Sequence, residues 1–321
     1  MRNYKFRQLM SVLLMFILMI SMIGCNATKP EITEPSTIQT QAPTEEVTIP
    51  PTTEPVTEPP TEAPTEPPYV FDPENIQYPI LYSDDTAVIE IQKEWYESAW
   101  VFAAHIEFTD YTRFGTECAY GSYNAGYETV SAAAERIGAI LAVNGSYSIP
   151  KYKHCVVTHG IIQNGKNSSC WAPGIYNANT GKMFSIWDSP GGNRIGGVNL
   201  TELVTAGLVT DTFSYSPPIV TDGEITANDD GKERRVLIGT NGSPGDIWVV
   251  VTNGNMNDNE SEGLTYTQCA EYMLEKGCTF VIPLEGGVNA TLVYQGVILN
   301  AVKSEKQVFD FVYFKNFETT D

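Results

Sequence analysis

The feature that most constrains the fold is a short buried strand that ends at a carboxylate and two glycines. The strand is predicted over Phe280–Leu284, because this run is apolar and rich in residues that favour strands. Glu285 follows it, and Gly286 and Gly287 then allow the backbone to turn sharply and to approach other segments closely. This arrangement suits a polar ligand at a sheet edge, and the alternative is a surface turn with a solvated Glu285.

Similar short apolar runs between turn residues recur along the chain. They predict a single α+β domain of mixed or antiparallel β-sheets with a few flanking helices. The predicted strands are Val88–Ile91, Trp100–Phe108, Ala139–Val143, Val236–Ile238 and Ile247–Thr252, with hairpins at Gly160–Lys166 (an Asn-Gly turn), Ser216–Ile225 and Thr291–Leu299. The predicted helices are Glu128–Ile137, Asn199–Ala206 and Tyr266–Lys276.

The clearest helix is Tyr266–Lys276. Thr265 is a suitable N-cap residue, Gln268 stands three residues later as in a capping box, and Gly277 ends the pattern. This helix leads directly into the Phe280–Leu284 strand.

Residues 1–25 are predicted to be an export signal that is not part of the fold. Basic residues precede the apolar stretch Leu9–Ile23, and the segment ends Gly24-Cys25. A small residue before a cysteine resembles a bacterial lipoprotein signal, which makes Cys25 the lipid anchor on the outer face of the cell membrane. The alternative is simple secretion with Cys25 incidental.

Residues 26–68 are predicted to be a disordered tether. Threonine, proline and glutamate dominate, aromatic residues are absent, and a four-residue unit repeats from Thr53 to Pro68. Such a segment cannot bury enough apolar area to offset the entropy of ordering it. Its prolines favour extended backbone of roughly 3 Å per residue, so that it is a semi-rigid spacer.

Residues 69–321 therefore form the predicted globular domain. The chain carries a net charge of −20, of which the export signal contributes +3 and the tether −7, so the domain is strongly acidic. A basic surface for nucleic acid is absent, and nucleic acid is not an expected partner. The oligomeric state does not follow from the sequence.

The domain contains an odd number of cysteines, so at least one is expected to lack a partner within the chain. Cys155 with Cys170 and Cys269 with Cys278 are the candidate disulfides of an exported protein. No CxxC or histidine-rich spacing predicts a metal cluster, and no cofactor is expected.

Seven segments in sequence order carry a resemblance to a known family. They are AWVFAAHIEF, AILAVNGSYS, HGIIQNGK, SPPIVTDGEI, RVLIG from Arg235, the Gly-Leu-Thr before the clearest helix, and LEGGVNATLVYQGVILN. With these segments the chain resembles the phosphodiester glycosidase family over roughly Trp95 to Tyr313. The family has aspartate, glycine and serine where Glu285, Val288 and Asn289 stand in this chain.

The resemblance implies cleavage of a sugar C1–O bond whose leaving group is a phosphate ester. A phosphomonoester has a second pKa near 6, so its departure requires less protonation than that of a sugar hydroxyl. The implied substrate is a glycosyl phosphodiester such as a GlcNAc-1-phosphodiester of a cell-wall or capsular glycan. Because several signature positions differ, the alternative is a catalytically inactive relative that binds surface glycans or acts as a scaffold.

The resemblance also suggests catalytic residues. Glu285 is the candidate general base or electrostatic stabiliser, with a structural acceptor of the glycine turn as the alternative. Arg235 is the candidate phosphate clamp, with an ordinary ion pair as the alternative. Arg234 is expected to point to the opposite face and to be solvated. His105 is a candidate general acid or a core histidine.

The predicted substrate-binding residues surround the same corner. The amides of Gly286 and Gly287 are expected to hold an oxyanion, with a tight turn that binds no ligand as the alternative. The side chains of Asn144 and Asn289 are expected to bind sugar hydroxyls, with the capping of a loop as the alternative. The set is completed by His159 and Asp222. A divalent cation between Glu285, Asp222 and asparagine side chains remains an alternative.

Overall fold

The computed structural model describes residues 71–146, 155–165, 174–185, 200–228, 231–255 and 259–316. These residues belong to one compact unit that begins at Glu66. The predicted export signal and tether, with Cys25, lie outside the described residues, and so does Cys170.

The described chain consists mainly of short strands. The strands are β1 (Ile80–Ser83), β2 (Ala87–Tyr96), β3 (Ala99–Phe108), β4 (Phe114–Cys118), β5 (Glu128–Thr129), β6 (Ala139–Asn144), β7 (Val156–Thr158), β8 (Ile161–Asn164), β9 (Gly174–Asn177), β10 (Lys182–Phe184), β11 (Asp211–Phe213), β12 (Val220–Thr221), β13 (Glu224–Ile225), β14 (Val236–Thr240), β15 (Asp246–Thr252), β16 (Phe280–Leu284), β17 (Leu292–Tyr294), β18 (Val297–Ile298), β19 (Gln307–Val308) and β20 (Asp310–Lys315). The α-helices are α1 (Val130–Ile137), α2 (Leu200–Thr205) and α3 (Tyr266–Glu275), and single 3-10 turns lie at Tyr111–Arg113, Ala119–Gly121 and Gly287–Asn289.

Two antiparallel sheets form the framework. The larger has eight strands in the order β1-β2-β3-β15-β14-β16-β12-β13, and the smaller has five in the order β18-β17-β6-β20-β4. Every strand pair described is antiparallel. The fold is therefore α+β with antiparallel sheets, as the sequence predicts.

The sheets and helices stack in four layers. The largest apolar cluster lies between the two sheets, where Phe102 and Ile106 of β3 meet Leu292 of β17 and Val312 of β20. The outer face of the eight-stranded sheet is covered by α3, and that of the five-stranded sheet by α1. Each sheet buries both faces, because its central strands carry apolar side chains that point alternately to one face and to the other.

Strand β3 shows this alternation and its limit. Its residues Phe102, Ala104, Ile106 and Phe108 point into the inter-sheet core, while Val101 and Ala103 point to the α3 layer. The next residues of β3 that point to the α3 side, His105 and Glu107, are polar and lie outside the apolar cluster under α3.

Helix α3 begins where the capping box predicts. The Thr265 side chain accepts a hydrogen bond from the Gln268 amide, and the Gln268 side chain accepts one from the Thr265 amide. Both bonds satisfy amide groups that have no partner inside the helix. The cap therefore fixes the position of Tyr266, the first residue of the helix.

The candidate disulfide between Cys269 and Cys278 is wrong, and the predicted Asn-Gly turn at Asn164–Gly165 runs into residues outside the described ones. The hairpin of β7 and β8 turns at His159–Gly160, which adopt φ of 50° and 72°, and Asn164 ends the second strand. Two successive residues with positive φ form the tight turn that matches the twist of a hairpin. Cys269 and Cys278 are buried thiols that form no disulfide, whereas Cys155 is bonded to a cysteine outside the described residues.

Within the described residues, no helix has the length and apolar character that a membrane crossing requires.

Candidate functional site

A cleft of about 660 Å³ opens at the glycine corner that follows β16. Three other segments contribute to it: the residues after β11, the residues before β14 and the first residue of α3. The lining residues are Tyr215, Ser216, Pro217, Glu233, Tyr266, Glu285, Gly286, Gly287, Val288 and Asn289. Sequence-distant segments therefore converge on one hollow.

Glu285 is held at the base of this corner by its backbone. Its amide donates to the carbonyl of Gly145 at 3.1 Å, and its carbonyl accepts from the side-chain amide of Asn144 at 2.6 Å. Burial raises the pKa of the Glu285 carboxyl to about 7, and a hydrogen bond with the Asn289 side chain opposes that shift. The carboxyl is thus close to half ionised at neutral pH, which is the condition that suits a general acid or base.

The glycines allow a close backbone crossing. A Cβ atom at Gly286 would fall against the carbonyl oxygen of Arg234, and Gly287 adopts φ of 60°. The Gly287 amide donates to that same carbonyl at 2.9 Å. This corrects the expected oxyanion cradle for Gly287, because its amide is already engaged within the chain.

Arg235 lies beside the cleft rather than free within it. Its Nε donates to the carbonyl of Leu264 and its Nη2 to that of Gly231, at 3.1 and 2.8 Å. Its guanidinium stacks over the Tyr266 ring at 4.0 Å, and its Nη1 is 3.6 Å from the Glu233 carboxylate. The expected role as a phosphate clamp is corrected accordingly, since this buried side chain supports Tyr266 and the backbone around it.

Arg234 also departs from expectation. It is only 2% exposed, and its Nη2 donates to the carbonyl of Ala290 at 2.5 Å. Burial lowers the pKa of its guanidinium to about 10. The side chain is therefore an internal tie between two loops of the corner and is not solvated.

The two asparagines of the predicted set differ in role. Asn144 is fully buried, and its side chain joins the Glu285 carbonyl to the amide of Thr291. It therefore shapes the corner from behind and does not face the cleft. Asn289 lines the cleft and contacts the Glu285 carboxyl.

The lining side chains that sequence reasoning missed include Tyr215, Tyr266 and Glu233. The two tyrosine hydroxyls are joined by a hydrogen bond, and burial together with the Glu285 carboxylate raises the pKa of Tyr215. Aromatic faces commonly contact sugar rings and other flat apolar surfaces through their rings. Tyr266 directly follows the N-cap residue Thr265, so the predicted start of the helix could have indicated the position of this side chain.

Two predicted residues lie away from this cleft. Asp222 occupies the turn between β12 and β13, where the next amide, that of Gly223, donates to the carbonyl of Thr279. Thr279 precedes β16 and Glu285 follows it, so a five-residue strand of roughly 17 Å separates the two carboxylates. The alternative cation site between them is therefore ruled out by geometry.

His159 lines a second cavity of about 440 Å³ on the outer side of the five-stranded sheet. Its Nε2 makes a short hydrogen bond with the Tyr313 hydroxyl, and its amide donates to the Asp211 carboxylate at 3.3 Å. Tyr313 belongs to the outer cluster against α1, whereas Glu285 ends a strand of the other sheet. His159 and Glu285 are therefore not brought together.

The cleft combines features suited to a polar, ring-shaped ligand. Glu285 and Glu233 supply carboxylates, and Tyr215, Tyr266 and Ser216 supply hydroxyl groups that donate hydrogen bonds. Among the described lining residues no side chain is cationic. The site can position a sugar and accept a proton, and its described lining side chains offer no positive charge to a bound phosphate.

The fold and the cleft together define a glycosidase-type domain. Residues 137–315 match the model of the family described as phosphodiester glycosidase, which is more than half of the chain, and the chain belongs to that family. A search of curated proteins found no match.

Two solved structures are similar to this chain. The catalytic domain of zebrafish N-acetylglucosamine-1-phosphodiester alpha-N-acetylglucosaminidase, auto-inhibited by its pro-peptide, is 15% identical with a TM-score of 0.53, over 76% of this chain and 86% of that chain. A hypothetical protein from Synechocystis is 10% identical with a TM-score of 0.49, over 71% and 62% of the two chains.

Proposed function

We propose that this protein hydrolyses the sugar C1–O bond of a glycosyl phosphodiester, with a GlcNAc-1-phosphodiester-like unit of a cell-wall or capsular glycan as the substrate class. The proposal is supported by family membership and by one observation above all: Glu285, with a pKa of about 7, lines a cleft beside Tyr215 and Tyr266. The corner that holds it is built from the segments that carry the family resemblance.

In the proposed reaction Glu285 is the general base. The ionised carboxylate accepts a proton from water, the water oxygen attacks C1, and the bond from C1 to the phosphate oxygen breaks. The phosphomonoester leaves with the bonding electron pair, and its low second pKa makes protonation by a second acid unnecessary. Tyr215 and Tyr266 position the sugar, and Arg235 positions Tyr266 from behind.

The test is turnover of a synthetic GlcNAc-1-phosphodiester by the purified exported chain. Wild type is expected to release free sugar, with kcat/KM rising with pH through about 7 as Glu285 ionises. Glu285→Gln is expected to lower kcat by at least about 100-fold, because general-base catalysis typically contributes that much. Glu262→Gln is the matched control, since this exposed carboxylate pairs with Lys232 and is not among the residues that line the cleft.

A second function is favoured by a specific observation. Arg235 and the Gly287 amide are engaged within the chain, so the described cleft lining offers no side-chain cation for the phosphate. A catalytically inactive relative that binds neutral glycans would need none. Glycan binding without turnover, combined with activity gained on Glu285→Asp, would establish this second function and reject the first.

We further propose that the protein is exported and held on the outer face of a bacterial membrane by lipid at Cys25. Support comes from the sequence of the first 25 residues alone. The Thr/Pro/Glu-rich tether would then present the domain to glycans at a distance from the membrane.

A further inference from the structure

A second polar cluster lies on the outer face of the eight-stranded sheet. His105 and Glu107 point to this face from β3, and Asp246 lies directly opposite Glu107 at the start of β15. One ligand atom from each of the three side chains lies within 4.8 Å of the others. The cluster therefore joins one imidazole and two carboxylates across neighbouring strands.

The distance between the candidate ligand atoms of His105 and Asp246 matches that of two ligands at a zinc site. His105 Nε2 and Asp246 Oδ1 are 3.4 Å apart. Two ligands bound tetrahedrally to Zn²⁺ at about 2.1 Å lie about 3.4 Å from one another. The third side chain, Glu107, is exposed and can rotate to complete a face of the same tetrahedron.

The same two atoms lack hydrogen bonds. His105 Nε2 and Asp246 Oδ1 are shielded from solvent and face each other as an ion pair only when the imidazole is protonated, and neither makes a hydrogen bond in the part of the chain that the structure describes. Buried polar atoms are normally satisfied, and each exception requires an explanation. A cation bound by a lone pair of each atom provides one.

Neighbouring side chains hold both ligands in place. The His105 ring stacks on Trp248 with centroids 4.4 Å apart and planes 7° from parallel. The other oxygen of Asp246 accepts a hydrogen bond from the side chain of Asn241 at 2.8 Å. Such outer contacts commonly orient metal ligands and fix the ring nitrogen that binds.

We propose that His105, Glu107 and Asp246 form a site for a divalent transition metal, with Zn²⁺ as the best match and water in the remaining position. One nitrogen and two oxygen ligands suit zinc, and Asp85 lines the same hollow as Glu107 and Asp246 and adds negative charge at the rim. The ion connects β3 to β15 across the centre of the larger sheet.

This site is separate from the candidate cleft. Asp246 begins β15, whereas Thr252 ends it and donates its amide to the carbonyl of Arg235. A seven-residue strand spans roughly 20 Å. The proposed ion is therefore a stabilising element of the sheet, and its absence would leave the proposed glycosidase reaction untouched.

The test combines calorimetry, thermal unfolding and fluorescence on the purified exported chain. Titration with Zn²⁺ is expected to show one site per chain, and saturating Zn²⁺ to raise the unfolding midpoint by roughly 5–10 °C. Co²⁺ is expected to quench the fluorescence of Trp248 because that ring stacks on a ligand, and Zn²⁺ to reverse the quenching by competition. Trp248→Phe should abolish the quenching while calorimetric binding persists.

Single substitutions distinguish a built site from scattered acidic groups. His105→Gln and Asp246→Asn are each expected to weaken Zn²⁺ binding by at least tenfold. Glu90→Gln is the matched control: Glu90 faces His105 from β2, but its carboxylate accepts from Gln92 and lies outside the cluster. No binding heat in the wild type, or binding that survives His105→Gln unchanged, would overturn the proposal.

Discussion

Two glutamates illustrate how surroundings set the chemistry of one residue type. Burial raises the pKa of Glu285 to about 7. Burial acts in the same direction on Glu94, but hydrogen bonds from Lys276 and Tyr272 outweigh it and lower the pKa of that carboxyl. The difference lies in the partners, since Glu285 receives no cation from the described residues that line its cleft.

The raised pKa of Glu285 predicts a pH-dependent cost to stability. The unfolded carboxyl ionises near 4.5 and the folded one near 7, so the free energy of unfolding falls as pH rises between these values. Glu285→Gln removes this cost. Relative to wild type, the variant is expected to be equally stable at pH 4.5 and about 1–2 kcal/mol more stable at pH 8, after allowance for solvent screening.

Urea unfolding at both pH values measures this difference. Glu94→Gln is the control of opposite sign, because a lowered pKa stabilises the fold above the unfolded pKa and that stability is lost in acid. It should therefore weaken the protein at pH 8. A Glu285→Gln difference that is the same at both pH values would contradict the assigned burial effect.

The adjacent glycines predict unequal costs for the same substitution. Gly286→Ala drives a Cβ atom into the Arg234 carbonyl and is expected to cost roughly 3 kcal/mol. Gly287→Ala meets no atom within 4 Å and has only its left-handed φ against it, which costs roughly 1 kcal/mol. Urea unfolding of both variants gives the comparison, and an equal or reversed order would refute the backbone crossing.

At the scale of elements, α3 connects local sequence to the cleft. The capping box fixes its first turn, and that turn carries Tyr266 above Arg235. The same side of the helix buries Cys269, Ala270 and Met273 against the eight-stranded sheet. A change at the cap can therefore reach the cleft without touching a lining residue.

Removal of the cap hydroxyl tests this connection. Thr265→Ala leaves the Gln268 amide without its acceptor and is expected to lower the free energy of unfolding by about 1 kcal/mol. Thr265→Ser keeps the hydroxyl and is expected to remain within a few tenths of wild type. Urea midpoints with unchanged m-values measure both, and equal losses in the two variants would show that the hydroxyl is not the cause.

Residues at opposite ends of one strand are too far apart to share a site. Glu285 and Asp222 are both near β16 in space, but they lie at opposite ends of it. His105 likewise lies opposite Trp248 near the start of β15, whereas the carbonyl of Arg235 accepts a hydrogen bond from Thr252 at the end of that strand. The register of the central sheet thus separates the candidate cleft, the Asp222 turn and the proposed metal site.

At the scale of the whole molecule, the proposed lipid anchor at Cys25 makes a prediction about where the domain is found. If Cys25 carries lipid, Cys25→Ala is expected to move the protein from the membrane fraction to the medium or soluble fraction in a bacterium that processes lipoproteins. Fractionation and immunoblotting measure the shift. Cys278→Ala, at a buried thiol of the domain, is the control that should stay with the membrane.

A Cys25→Ala variant that stays in the membrane fraction would contradict the lipid anchor at Cys25. Retention of both variants at the membrane would show that the apolar leader itself holds the protein. The activity of the domain is a separate measurement, so this outcome leaves the glycosidase proposal standing.

Much of the fold follows from local sequence. The helix start at Thr265, the buried strand Phe280–Leu284 and the Gln295–Gly296 turn between β17 and β18 are where the sequence predicts them. Capping hydroxyls, apolar runs and residues that tolerate positive φ act within a few positions of themselves. Such features can be identified without knowledge of the distant chain.

The candidate site was only partly predictable. The sequence indicates Glu285, Asn289 and the glycine corner because they adjoin a strongly patterned strand. Tyr215 and Glu233 reach the same cleft from segments about 70 and 50 residues earlier, and no local pattern marks them. His159 and Asp222 follow similar turn signals, yet the topology places them elsewhere.

The sequence by itself determined an acidic α+β chain with a glycine corner and the marks of a glycosidase family, because composition, periodicity and turn chemistry are local properties. Only the tertiary structure decided which polar groups meet. It enclosed Arg234 and engaged Arg235 with carbonyl groups of other segments, and it left Glu285 without a cation among the described residues that line the cleft. The reason is physical: pKa values and hydrogen-bond partners depend on distances between segments, which only the packing of the two sheets and their helices fixes.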